Sequence, residues 1–214
     1  MFQLTKVWTD QDPSIQMVAV RYTWSALGEA ATWDGTEETE VMRVVPNTDP
    51  KMRQAVIEPP RYFHDKDSFL LHHRFMYVQS GQEQLSEVFS EEIVSREIDY
   101  LDQEGRITEV RLLWGVDSWN APNWTQANLE GLHLQTLPDR AGHDREGEGL
   151  ADDAIYELIQ TVPLPRRYVG KVWGPRGAQV EYRYQLLRTN SPLPEDDFAM
   201  WITDNGHNFR VSLD

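Results

Sequence analysis

Apolar and polar residues alternate along several segments of this chain. In residues 18–25, valine, tyrosine and tryptophan occupy every second position, and residues 110–114 and 180–187 have the same period of two. This period is expected of a β-strand that buries one of its faces. Aromatic and β-branched residues fill these segments, and clusters of proline, glycine and asparagine separate them. Helical periodicity is nearly absent, so the pattern predicts an all-β protein made of short antiparallel strands.

The alternating segments belong to an internal repeat. Residues 20–46 and 110–138 both open on Val-Arg-x-x-Trp, contain a second tryptophan (Trp33 and Trp124), and end on an apolar residue followed by proline. Farther along each half, the strand-like segment FLLHHRFMYV corresponds to AQVEYRYQLL. Landmarks that recur in the same order indicate two copies of one structural unit.

We therefore predict two tandem immunoglobulin-like antiparallel β-sandwich domains, formed by residues 1–100 and 101–214. The cysteine pair of antibody domains is missing, so the similarity is architectural. A single up-and-down barrel is disfavoured, because a barrel would not show a repeat at its midpoint. Trp24 and Trp114 stand at matching positions on the apolar faces, and we expect both to lie in the cores.

Composition narrows the classes of partner. The chain has 214 residues, no cysteine and a formal net charge of -15. Without cysteine there are no disulfides, thiolate metal sites or cysteine nucleophile. The acidic charge disfavours nucleic acid, whose recognition needs a basic patch. No apolar run approaches the ~18 residues of a membrane span, and the first residues lack a secretion-signal pattern. We expect a cytoplasmic protein, with secretion left open because a signal peptide is removed on export.

Tryptophan is the most informative residue type, with eight in the chain. Trp119 and Trp124 flank the amide side chains of Asn120 and Asn123 in a segment typical of turns. An exposed indole can pack on the C–H face of a sugar while neighbouring amides hydrogen-bond to its hydroxyls. Two other interpretations remain open. The rings could plug the end of a sandwich or the joint between the copies, or they could form a protein interface.

The end of the chain contains a second cluster of aromatic and amide residues. In residues 198–213, Asp204-Asn205-Gly206 predicts a tight turn between two strand-like segments. This run resembles the end of the starch- and glycogen-binding carbohydrate-binding modules, where an aromatic strand precedes a Trp-Asp-Asn-Asn-Gly-x-Asn-Tyr-like segment. The corresponding residues here are Trp201, Asp204, Asn205, Gly206, Asn208 and Phe209. Two residues intervene after the tryptophan, and phenylalanine replaces tyrosine. The resemblance covers mainly the second copy and implies a β-sandwich that binds an α-glucan.

Residues suited to catalysis or metal binding form no recognisable motif. His72 and His73 are adjacent on a predicted strand, so their side chains point to opposite faces and cannot chelate one metal ion. The sequence contains no glycine-rich phosphate loop, serine elbow or HExxH motif. We therefore predict no catalytic residue, no cofactor and no metal site.

Together these features favour non-catalytic carbohydrate recognition, with a polysaccharide or oligosaccharide, in particular an α-glucan, as the partner. The predicted ligand-binding residues are Trp119, Asn120, Trp124, Trp201, Asn205 and Asn208. The main alternative function is that of an accessory or scaffold subunit, which would dock on an enzyme partner through the same exposed aromatic residues. A third alternative is an enzyme, which is the least favoured because no catalytic constellation is recognisable. Neither nucleic acid nor a membrane is expected as a partner.

Overall fold

The structure is a computed structural model that describes residues 2–64, 66–116, 122–132, 159–188 and 200–214. Nearly all regular structure in these ranges is antiparallel β-strand, and the sheets pack face to face around a buried core. The prediction of an all-β antiparallel sandwich is therefore confirmed. No helix in the described ranges is both long enough and apolar enough to cross a membrane.

The strands divide between the two halves of the chain, with one strand in the middle. The strands of the first half are β1 (Leu4–Thr9), β2 (Ile15–Ser25), β3 (Glu38–Val41), β4 (Arg43–Val44), β5 (Met52–Ile57), β6 (Ser68–Gln79) and β7 (Gln82–Leu85). A 3-10 helix at Arg61–Phe63 lies between β5 and β6. The middle strand is β8 (Phe89–Asp102). The strands of the second half are β9 (Ile107–Val116), β10 (Asn123–Gln126), β11 (Asn128–Leu129), β12 (Arg166–Pro175), β13 (Gln179–Arg188), β14 (Met200–Ile202) and β15 (Phe209–Ser212).

These strands form three sheets. The three-stranded sheet has the order β1-β5-β4, and the five-stranded sheet has the order β10-β9-β13-β14, with β15 also paired to β13. The seven-stranded sheet has the order β11-β12-β8-β6-β2-β3, with β7 paired to β6. Val18, Val20 and Tyr22 of β2 are buried on one face, as a period of two predicts, and the small Ala19 between them is buried as well.

Strand β8 joins the two halves of the chain. Its residues 89–94 pair with β6 of the first half, and its residues 93–102 pair with β12 of the second half. One cluster of buried apolar side chains runs through both halves, from Phe2 to Leu213. Residues 100 and 101, between which the sequence predicted a domain boundary, both lie in this strand. The division into two domains stays a prediction.

The same order of strand pairing occurs in each half. The arrangement β1-β5-β4 corresponds to β8-β12-β11, and β3-β2-β6 corresponds to β10-β9-β13. Strands β7 and β8 pair with β6 as β14 and β15 pair with β13. This agreement is what an internal repeat would produce; the repeat itself stays a prediction.

Trp24 and Trp114 both pack into the interior, although not to the same depth. Trp114 is fully buried, contacts the ring of Phe2 at 6.3 Å, and donates its indole N–H to Thr125 Oγ1 at 2.9 Å. Trp24 is half-buried and packs edge-on against Phe69, with ring centroids 5.5 Å apart. Phe2 also stacks on Trp173 at 5.0 Å, which places Trp114 at the joint between the two halves.

We expect Trp114→Ala to lower the free energy of unfolding by about 3–5 kcal/mol, because a large buried ring leaves a cavity when it is truncated. Trp24→Ala should cost less, since that ring is only half-buried. Urea denaturation followed by far-UV circular dichroism measures both. A loss well below ~1 kcal/mol for Trp114→Ala, or a larger loss for Trp24→Ala, would contradict this description of the core.

Candidate functional site

Trp124 and Trp201 lie on the side of the five-stranded sheet that faces away from the core; we call this side the outer face. Directly paired residues of antiparallel strands point to the same side of a sheet. Trp124 of β10 pairs with Leu113 of β9, and Leu113 pairs with Arg183 of β13. Trp201 of β14 pairs with Gln185, two residues beyond Arg183 on β13. All five side chains therefore share the outer face.

The two tryptophan rings meet above the sheet; we call them the ring pair. Strands β9 and β13 lie between β10 and β14, so the backbones of Trp124 and Trp201 are three strand spacings apart, about 14 Å. Their ring centroids are nevertheless only 5.9 Å apart, and the ring planes meet at 44°. Trp124 is 45% exposed and Trp201 is 40% exposed. Leu113, which lies between them in the sheet, is only 6% exposed. The ring pair thus forms one continuous aromatic surface.

Arg183 supports the ring of Trp201. Its guanidinium carbon lies 4.2 Å from the ring centroid, which is a cation–π contact. Because Arg183 extends from the centre of the sheet, this contact fixes the indole relative to a rigid strand rather than to a loop.

A tight turn interrupts the edge of the sheet beside the ring pair. Strands β14 and β15 pair with successive parts of β13, and residues 203–208 bulge out between them. Asn205 and Gly206 both have positive φ, at 50° and 87°. Asp204 and His207 exchange two backbone hydrogen bonds, of 2.8 and 2.9 Å. The turn predicted from Asp-Asn-Gly is confirmed, and its two left-handed residues are those that a type I′ hairpin turn requires.

Glu181 connects this turn to the outer face. Asn208 Nδ2 donates to Glu181 Oε2 at 3.3 Å, and Arg210 Nε donates to Glu181 Oε1 at 2.9 Å. Glu181 lies two residues before Arg183 on β13, so the two side chains are neighbours on the same side. A depression next to them is lined by Glu181, Asp204, Gly206, His207, Asn208, Phe209 and Arg210.

The predicted site residues thus differ in placement. Trp124 and Trp201 come together, and Asn208 reaches the same face through Glu181. Asn205 is exposed at the tip of the turn, where its amide donates to Asp204 at 3.3 Å. Trp119 and Asn120 lie outside the described residues.

One amide that was expected beside the rings has a structural role instead. The side-chain oxygen Oδ1 of Asn123 accepts the Gln3 backbone N–H at 2.7 Å, and its side-chain Nδ2 donates to the Gln3 backbone carbonyl at 3.2 Å. Asn123 is buried and holds the start of the chain against β10. Conversely, Glu181, Arg183 and Gln185 were missed, although as the polar positions of an alternating strand they could have been assigned to one face.

The two histidines of β6 point to opposite sides of the sheet, as predicted. His72 is buried between two serines, with its ring nitrogens 2.9 Å from Ser25 Oγ and 2.8 Å from Ser90 Oγ. His73 faces the core, 3.6 Å from the carboxylate of Glu91. Within the described part of the chain, no three acidic or histidine side chains are grouped as they would be around a metal ion.

His73 belongs to a buried charged cluster that links two sheets. Lys6 of β1 reaches across the sandwich to Glu91 of β8, with 2.5 Å between Nζ and Oε2. Burial, reinforced by the nearby Lys6 cation, lowers the pKa of His73 to about 4, although Glu91 acts in the opposite direction. Burial also lowers the pKa of Lys6, against the attraction of Glu91. The imidazole is therefore neutral in the folded protein at neutral pH.

No protein-family model and no curated protein matches this chain.

The lowered pKa of His73 predicts that the protein loses stability in mild acid. An unfolded histidine takes up a proton near pH 6.5, whereas the folded His73 does so only near pH 4. Between these values the unfolded state binds more protons, so the free energy of unfolding should fall as the pH falls. In urea denaturation at several pH values, the free energy of unfolding of His73→Gln should depend less steeply on pH in this window than that of the unmodified protein. The control His207→Gln removes an exposed histidine and should keep the original slope. Equal slopes for His73→Gln and the unmodified protein would contradict the assignment.

Proposed function

We propose that this protein is a non-catalytic carbohydrate-recognition protein, and that its ligand is an α-glucan. The ring pair of Trp124 and Trp201 carries the proposal, because two exposed indoles in contact form a surface on which the C–H faces of sugars pack. The end of the chain, which resembles the starch- and glycogen-binding modules, supplies one of these rings.

Polar groups around the ring pair suit the hydroxyls of a sugar. Gln126, Arg111 and Gln185 are directly paired across β10, β9 and β13, in the same row as Trp201. Amide groups both donate and accept hydrogen bonds, as sugar hydroxyls do. A ring surface bordered by such groups combines the apolar contact and the polar orientation that small-ligand sites use.

The charges on the outer face are locally balanced, which favours a neutral sugar. Arg111 donates to Glu109, and Arg210 forms an ion pair with Glu181 at 2.8 Å. Arg183 lies against the Trp201 ring. An acidic polysaccharide would need cations without such partners, so a glucan fits this surface better.

The angle between the rings favours a curved chain. Two sugar units that contact both planes at 44° must themselves be inclined to one another. Successive units of an α-1,4-glucan are inclined to one another because the chain is helical, whereas a β-1,4-glucan forms a flat ribbon.

Docking on an enzyme partner would use the same rings but needs a broader apolar surface. A stable protein interface buries ~800 Å² on each partner, with an apolar centre. Around the ring pair, Gln126 and Arg111 are exposed, and Gln185 is partly buried. This polar border favours the sugar over the protein partner.

Trp124→Ala and Trp201→Ala should each weaken binding of maltoheptaose about tenfold or more, since loss of one stacked ring costs about 1–3 kcal/mol. The core does not depend on these exposed rings, so both variants should keep the far-UV circular dichroism of the unmodified protein. The same loss is predicted for Trp119→Ala. Isothermal titration calorimetry gives the affinities. The control Tyr62→Ala removes an exposed ring in the first half and should bind normally.

Two results would overturn the proposal. One is an unmodified protein that responds to no member of a glycan panel. The other is normal glucan binding by the Trp124→Ala, Trp201→Ala double variant. If these substitutions instead released a protein that co-purifies with the chain, the accessory-subunit function would replace carbohydrate recognition.

A further inference from the structure

Strand β6 of the first half corresponds to β13 of the second, and a tryptophan ring covers an arginine on each of them. Arg74 lies on β6, and its guanidinium carbon is 4.4 Å from the centre of the Trp33 ring. The contact between Arg183 and Trp201 on β13 measures 4.2 Å. The ring of Trp33 comes from the segment between β2 and β3, whereas Trp201 comes from β14. Two different segments thus place an indole over equivalent arginines.

The equivalence of the arginines follows from the strand pairing. On β6, His73 pairs with Phe89 of β8, and on β13, Tyr182 pairs with Phe209 of β15. Arg74 and Arg183 are the next residues along the two strands. Each therefore points away from the core, on the face opposite to its inward-pointing neighbour.

The segment that carries Trp33 is held in place by another residue. The Glu37 side chain is only 3% exposed and forms an ion pair with Arg21. Its carboxylate also accepts the Gly35 backbone N–H at 2.8 Å and lies 3.8 Å from the Arg74 guanidinium. Glu37 thus anchors the segment next to the indole, while Trp33 itself remains half-buried. Trp33 does not anchor the segment, and its ring rests on the guanidinium of Arg74. The exposed part of the ring is therefore available for a ligand.

We propose that Trp33 and Arg74 form a second carbohydrate site, on the first half of the chain. This proposal rests on carbohydrate recognition as the function and extends it from one site to two. The second site offers one ring where the ring pair offers two, so it binds the sugar with lower affinity. Two sites on one rigid chain would allow a long glucan to be held at both, which raises the overall affinity.

The test is a titration of 5-fluorotryptophan-labelled protein with maltotriose, followed by ¹⁹F nuclear magnetic resonance. Each tryptophan gives its own signal, and Trp33→Phe and Trp201→Phe assign the two that matter. Maltotriose is used because a short sugar reports each site separately. We expect saturable shifts of the Trp33 signal, both in the unmodified protein and in the Trp124→Ala, Trp201→Ala double variant.

Two further variants separate a binding role from a structural one. Arg74→Met should weaken the Trp33 response, because the ring loses the guanidinium beneath it, while Arg21 still holds Glu37 and keeps the segment in place. The Trp201 response should stay unchanged, since that ring rests on Arg183. Leu27→Ala changes an exposed residue of the same segment and should leave the Trp33 response unchanged.

The outcomes distinguish the two proposals. If Trp201 responds and Trp33 does not, the second site is overturned and the function stands. If Trp33 responds and the ring pair does not, the second site stands and the ring pair is overturned as the binding surface. If no signal moves, both proposals are overturned.

Discussion

Strand β8 is the element on which the rest of the architecture depends, because its backbone pairs with both halves of the chain. Residues 89–94 pair with β6 of the first half, and residues 93–102 pair with β12 of the second half. The second half is held closely: Tyr100 packs on Tyr184 at 5.3 Å, and the Tyr184 hydroxyl donates to the Asp99 carbonyl at 2.7 Å. A slip of one residue along β8 would turn its side chains to the wrong face in both halves of the chain. The registers of the two halves are therefore fixed together.

This arrangement separates the residues that stabilise the fold from those that we propose bind a sugar. The inner faces and the joint contain the fully buried rings, such as Trp114, on which we expect the stability of the fold to depend. The outer faces of β6 and β13 carry Arg74 and Arg183, each covered by an indole that is at least partly exposed. Because these indoles lie outside the core, they can be altered without opening it. The two arginines that support these rings lie on strands rather than on loops. A site built on strands keeps its shape without a ligand.

The strands and the turn could be predicted from the sequence, but which strands pair with one another could not. Alternation in residues 18–25 and 180–187 identified buried faces correctly, and Asp204-Asn205-Gly206 was recognisable because few residues accept positive φ. The sharing of β8 was not predictable, because a period of two shows which side chains share a face but not which strands pair. The contact between Trp124 and Trp201 was hidden for the same reason, since it spans two intervening strands. Asn123 was misplaced because an amide that caps a neighbouring backbone looks the same in sequence as one that binds a ligand.

The central claim is that the ring faces of Trp124 and Trp201 contact the sugar itself. Intermolecular nuclear Overhauser effects between maltoheptaose and the tryptophan rings test this most directly, because they report protons within a few ångströms of each other. We expect contacts from the sugar C–H protons to the rings of Trp124 and Trp201, and none to the buried Trp114. Bound maltoheptaose whose contacts avoid both rings of the pair would contradict it.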